Sequence, residues 1–116
     1  MTIKSETLPA SLNFSLFGGD TFRRVFTVTD ENSNPYDFTN YAVTFVLEKN
    51  DRAVLTKTEA GGISIVDNAI TVEIGNTDTK TLEGVSYEYY LKLTNELTGD
   101  VRTWISGIFE IVNRTW

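Results

Sequence analysis

"VSYEYYLKLT", residues 85–94, is the stretch on which the fold turns. Val85, Tyr87, Tyr89, Leu91 and Leu93 share one face, while Ser86, Glu88, Tyr90 and Lys92 share the other. That period of two belongs to a half-buried β-strand. The turn-forming "NELTGD" (95–100) follows, and "VRTWISGIFEIV" (101–112) returns as a second long strand, where Gly107 is expected to mark a bulge. Upstream, "YAVTFVLEK" (41–49) aligns Val43, Phe45 and Leu47, and "SLNFSLF" (11–17) aligns Leu12, Phe14 and Leu16. "RAVLTKT" (52–58) reads as a short strand. "ISIV" and "AITVEI" flank Asp67-Asn68, a good hairpin turn. "NTDTKTLEG" (76–84) breaks the alternation and fits one helical turn, capped by Asn76 or Thr77 and stopped near Gly84.

No segment of ten or more residues carries the apolar stripe of a helix. Short strands with turn signals every 8–12 residues predict an all-β protein, an immunoglobulin-like antiparallel β-sandwich of about seven to eight strands. The 85–94 strand resembles the sixth strand of such a sandwich, where a tyrosine anchors the preceding corner; Tyr87 or Tyr89 fits that role. The chain of 116 residues shows no compositional break and reads as one domain over 1–116. Residues 1–10 are expected to form a flexible or partner-docking arm.

Two adjacent arginines in "DTFRRVFTVTD" (20–30) pose a problem for this pattern. Arg23 falls on the polar face, but Arg24 shares a face with Phe22, Phe26 and Val28. A buried unpaired guanidinium is very costly, so Arg24 is expected at the rim of that face, paired with a carboxylate of this chain or a neighbour.

Composition narrows the function. Ten Lys and Arg against 16 Asp and Glu leave a formal charge of −6, which argues against nucleic acid as a partner. There is no Cys and no His, so thiolate nucleophiles, disulfides and the commonest general base and metal ligand are excluded. No apolar run approaches a membrane span, and the first residues lack the apolar core of a signal peptide. Without a serine elbow or phosphate loop either, neither catalysis nor a cofactor is expected.

Asp30, Asn32 and Asn34 have the 1, 3, 5 spacing of a calcium loop. Pro35 then stands at position 6, where glycine is needed, and Tyr41 at position 12, where a bidentate Glu belongs; the same residues suit a plain turn. Tyr90 lies on the otherwise polar face of its strand, and Trp104 shares a face with Arg102, Ser106 and Glu110 but also with Ile108 and Val112. They and Trp116 are either candidates for an interface or covered within the sandwich on both strand faces. Tyr90 and Trp104 are equally candidates for a stacking platform that binds a glycan.

"FGGDTFRRVFTVTDENSNPYDFTNYAVTFVLEK" (17–49) resembles a pattern of phage and prophage tail proteins. A Gly-Asp-Thr opening leads into an aromatic and basic strand, and then into Pro35-Tyr36-Asp37-Phe38-Thr39-Asn40-Tyr41. Gly61-Gly62-Ile63-Ser64-Ile65, "NTDTKTL" and Tyr87-Glu88-Tyr89 continue the similarity, which spans roughly residues 15–112. The family it resembles is that of the N-terminal β-sandwich domain of baseplate upper proteins. The resemblance implies a non-enzymatic virion protein, made in the bacterial host cytoplasm and assembled into a tail or baseplate. Its partners would be further copies of itself and neighbouring phage structural proteins. Asp20, Arg23, Arg24 and Tyr36, in the Gly-Asp-Thr strand and the 30–41 loop, are the contact residues it suggests.

Overall fold

A computed structural model describes residues 2–4 and 8–112. The chain forms β1 (Thr2–Lys4), β2 (Ala10–Ser11), β3 (Phe14–Phe17), β4 (Phe22–Thr29), β5 (Tyr41–Lys49), β6 (Arg52–Thr58), β7 (Ile63–Val66), β8 (Ala69–Ile74), α1 (Asn76–Thr81), β9 (Ser86–Asn95) and β10 (Val101–Val112). They pack as two sheets. One has the order β1-β4-β8-β7; the other runs β2-β10-β9-β5-β6, with β3 also on β10. Counted without β2, β3 and β6, this is the immunoglobulin strand order, with the first, second, fifth and fourth strands (β1, β4, β8, β7) in one layer and the last, sixth and third (β10, β9, β5) in the other.

Ten strands rather than seven or eight are present among the described residues, and the sheets are mixed. The additional strands lie in the segment expected to be an arm. Thr2–Lys4 runs parallel to Thr27–Thr29, and Ala10–Ser11 runs parallel to Ile105–Ser106. Two- and three-residue strands are too short to show a period, which is why the sequence did not reveal them. β3 continues the parallel pairing against Phe109–Val112.

The alternating residues meet in the core. Phe22, Phe26 and Val28 of β4 and Ile70, Val72 and Ile74 of β8 face Val43, Phe45 and Leu47 of β5 and Tyr87, Tyr89, Leu91 and Leu93 of β9. Where an antibody domain places a tryptophan against an inter-sheet disulfide, Phe45 stacks between Phe22 (6.3 Å between ring centroids) and Tyr89 (5.4 Å). Phe109 meets Phe22 and Phe45 edge-on. An aromatic stack thus joins the sheets in a chain that has no cysteine.

The tyrosine corner is Tyr87, whose hydroxyl donates to the Glu83 carbonyl, 3.1 Å away. Tyr89 makes a different link. Its hydroxyl donates to the Leu12 carbonyl at 2.7 Å, tying β9 to the kink between β2 and β3. At that kink Asn13 Oδ1 accepts from the Ile108 N–H (2.9 Å), so a side chain replaces a ladder carbonyl. Gly107 lies directly beneath it and allows the close approach of Leu12. The bulge expected at Gly107 falls earlier instead, between Thr103 and Ile105.

Burial raises the Tyr89 phenol well above its ordinary value of 10.0. The folded state therefore keeps a proton that the unfolded chain releases as pH rises past about 10. The stability from this group is complete below that pH and is lost above it, by up to about 1.4 kcal/mol per pH unit. Urea titrations between neutral and alkaline pH should show this decline. Tyr89→Phe should flatten it and cost about 1–2 kcal/mol at neutral pH, because the Leu12 carbonyl loses its donor.

α1 forms as expected, but its N-cap is Gly75, which offers no capping side chain, rather than Asn76 or Thr77. Its anchor is the fully buried Thr79, whose hydroxyl donates to the Asp20 carbonyl (2.6 Å) and accepts from the Gly19 N–H (3.1 Å). Asp20 is thereby fixed at the end of the sandwich opposite the 30–40 loop.

Candidate functional site

Arg24 lies along the part of β4 that β1 does not reach. β1 covers β4 only along Thr27–Thr29, so from Phe22 to Phe26 one side of β4 has no neighbouring strand among the described residues. Arg24 points inward there but remains exposed, with its guanidinium over the rings of Phe14 (5.5 Å) and Phe22 (5.4 Å) and donating to the Arg23 carbonyl. The apolar stem covers the core edge while the charge stays wet, and an inward charge discourages another strand from pairing there. The carboxylate expected for Arg24 pairs instead with Arg23, whose Nε lies 3.4 Å from Glu73 across the β4–β8 ladder. Both of those side chains are more than half exposed, which makes the pair a weak contributor to stability.

Tyr90 and Trp104 do not form one platform. Tyr90 is on the outer face of the larger sheet, its hydroxyl donating to Glu88 (2.9 Å) and its ring beside the Lys92 ammonium. Trp104 is only 8% exposed and packs against Tyr36 (5.0 Å, edge-on) and Phe38 (5.8 Å). The cause is the β10 bulge: one extra residue breaks the alternation, so Trp104 and Ile105 are both buried in succession. Trp116 lies outside the described residues.

Three connections converge at one end of the sandwich: the 30–40 loop, the Asp67-Asn68 turn and the 96–100 turn. Hydrogen bonds hold them together. Glu96 N–H donates to the Asn40 carbonyl (2.8 Å), and Asn68 both donates to and accepts from the backbone of Val28. Within the long loop, Asp30 Oδ1 accepts from the N–H groups of Asn32 and Asn34, each at 2.9 Å. The calcium-like spacing is thus a turn closed on its own aspartate. Among the described residues, no group of three or more Asp or Glu side chains is placed to hold a metal ion. Asp37 closes a second such turn on Thr39, whose hydroxyl and N–H hold its carboxyl below the usual range.

Between the 30–40 loop and the 96–100 turn opens a cleft of about 780 Å³. Leu93 and Trp104 reach it from the core, Tyr36 and Tyr41 form walls, and Leu8 and Pro9 border it. Asp30, Glu31, Asn95, Asp100, Arg102 and Thr103 supply its polar groups. Burial, with the Tyr41 hydroxyl and the Asp37 carboxylate, raises the Tyr36 phenol, and Arg102 acts in the opposite direction. Three of the residues singled out in the sequence, Asp30, Tyr36 and Trp104, meet in this cleft; Arg23, Arg24, Tyr90 and Asp20 lie elsewhere. Glu31, Asn95, Asp100 and Arg102 were not singled out. The usable signal was topological, since the loops after the second and sixth strands of an immunoglobulin-type sandwich emerge at the same end.

The exposed apolar residues Val66, beside the Asp67-Asn68 turn, and Leu97 and Val101, on and beside the 96–100 turn, also stand at this end. Among the described residues no helix is long and apolar enough to cross a membrane.

No family model matches the chain, and no curated protein matches it. Solved structures do. The N-terminal domain of phage TP901-1 ORF48 aligns with a TM-score of 0.56 at 14% identity, covering 98% of this chain and 95% of that one. The NK cell receptor Nkp44, a triggering partner in natural cytotoxicity, aligns with a TM-score of 0.52, also at 14% identity, covering 90% of this chain and 98% of the receptor chain. At such identity the likeness is one of fold. The chain is an immunoglobulin-type β-sandwich with a cleft at its loop end.

Proposed function

We propose that this chain is a non-enzymatic structural protein of a phage virion, a part of the tail or baseplate. It works by burying loop ends and sheet faces against copies of itself and neighbouring virion proteins. One observation carries the reading: the fold matches a domain of a phage protein from end to end, with almost nothing left over on either side. The residue pattern over 15–112, part of which is the strand alternation of the fold itself, resembles that of baseplate upper proteins and is consistent with this reading. Exposed apolar residues at this end of the sandwich, Val66 in one sheet and Leu97 and Val101 in the other, suit burial against a partner.

Symmetric virion parts are closed assemblies, so the protein should form a discrete oligomer. Light scattering on the purified protein, at micromolar and then millimolar concentration, should give one mass above that of the 13.0 kDa chain. A mass that stays at the monomer value across the whole range would remove the self-assembly part of this reading.

A further inference from the structure

We propose that the loop-end cleft receives a lysine or arginine side chain carried on an extended segment of a partner protein. The inference rests on the assembly reading and names the chemistry of the contact. The cleft is of a size that holds a long side chain with its flanking backbone, at the upper part of the usual 300–1,000 Å³ range for ligand sites, roughly. Its walls are Tyr36 and Tyr41, whose ring faces attract a cation. Its rim carries the carboxylates of Asp30, Glu31 and Asp100 against the single guanidinium of Arg102, three negative charges to one positive.

That balance selects among occupants. An anionic ligand would meet one guanidinium and three repelling carboxylates. A sugar needs a broad open aromatic face, and Trp104, the largest ring of the lining, is only 8% exposed. A second copy of this chain, at −6, is a poor source of positive charge. A basic side chain from a different protein satisfies the rim and lays its methylene stem along Leu93 and the tyrosines.

The test is an NMR titration of the isotope-labelled full chain with three blocked tripeptides, Leu-Lys-Leu, Leu-Arg-Leu and Leu-Glu-Leu, and with maltotriose. The lysine and arginine peptides should shift amides of residues 30–41 and 93–104, saturably, and more weakly as ionic strength rises. The doubly substituted Glu31→Gln, Asp100→Asn chain should bind them about fivefold more weakly. Both residues are exposed, and an unchanged spectrum would show that the variant is folded. Absence of shifts at the cleft, equal binding of the glutamate peptide, or cleft binding by maltotriose alone would overturn the proposal. Native mass reads the assembly proposal separately: an oligomer that ignores the basic peptides refutes this inference alone.

Discussion

Gly107→Ala should destabilise the protein by about 3 kcal/mol or more and lower its melting temperature by at least about 10 °C. A Cβ at this position would overlap the Leu12 carbonyl oxygen, and it would stand 2.8 Å from the carbonyl carbon and 2.9 Å from Asn13 Oδ1. The first two obstacles are backbone and cannot rotate away. Moving them disturbs the bond from the Tyr89 hydroxyl to Leu12 and the bond from the Ile108 N–H to Asn13. Overpacking and a buried, orphaned hydroxyl then add together, against a total stability of about 5–15 kcal/mol. Gly61→Ala is the matched control. Nothing lies within 4 Å of its added Cβ, so it should change stability by no more than about 0.5 kcal/mol. Urea denaturation of both variants decides the point, and a Gly107→Ala chain as stable as Gly61→Ala would refute it.

Phe45→Ala should cost about 3–5 kcal/mol. Phe45 is 1% exposed and lies in the middle of the aromatic stack, in ring contact with Phe22, Tyr89 and Phe109. These three rings come from both sheets, so truncating Phe45 empties the layer between them. Phe45→Leu keeps most of the volume and loses mainly the ring geometry, and it should cost about 1–1.5 kcal/mol. A Phe45→Ala loss below that of Phe45→Leu would show that the sheets are held together elsewhere, and equilibrium unfolding with the two variants side by side measures it.

The core faces were legible because they are local. A pleat forces alternate residues onto opposite sides, so Val43, Phe45 and Leu47, or Tyr87, Tyr89, Leu91 and Leu93, could be assigned to the interior from spacing alone. The same rule placed Arg23 and Tyr90 outside, where they are. The hairpin at Asp67-Asn68 and the strand over 52–58 were legible for a similar reason, since a turn depends on a few adjacent residues.

The rule misplaced Trp104 and left the environment of Arg24 open. A single bulge in β10 turned Trp104 from the face it shares by alternation with Arg102 and Ser106 to the inner one, and a bulge depends on how β10 pairs with β9, not on the residues around it. Arg24 lies on the face its position dictates, but it is exposed, and among the described residues β1 pairs with β4 only from Thr27 onward. Whether a strand edge is covered is a property of the sheet.

By itself, then, the sequence determined the strands, most of their faces and the sandwich class, since these follow from periodicity and turn chemistry within a few residues. Only the tertiary structure decided the parallel N-terminal strands, the buried Trp104 and the acidic, tyrosine-walled cleft. Each of these is made by segments far apart in the chain: Leu8 and Pro9, the 30–41 loop and residues 93–104 reach one cleft because the sandwich topology brings the ends of their strands together. Local preference has no access to a convergence that long-range pairing creates.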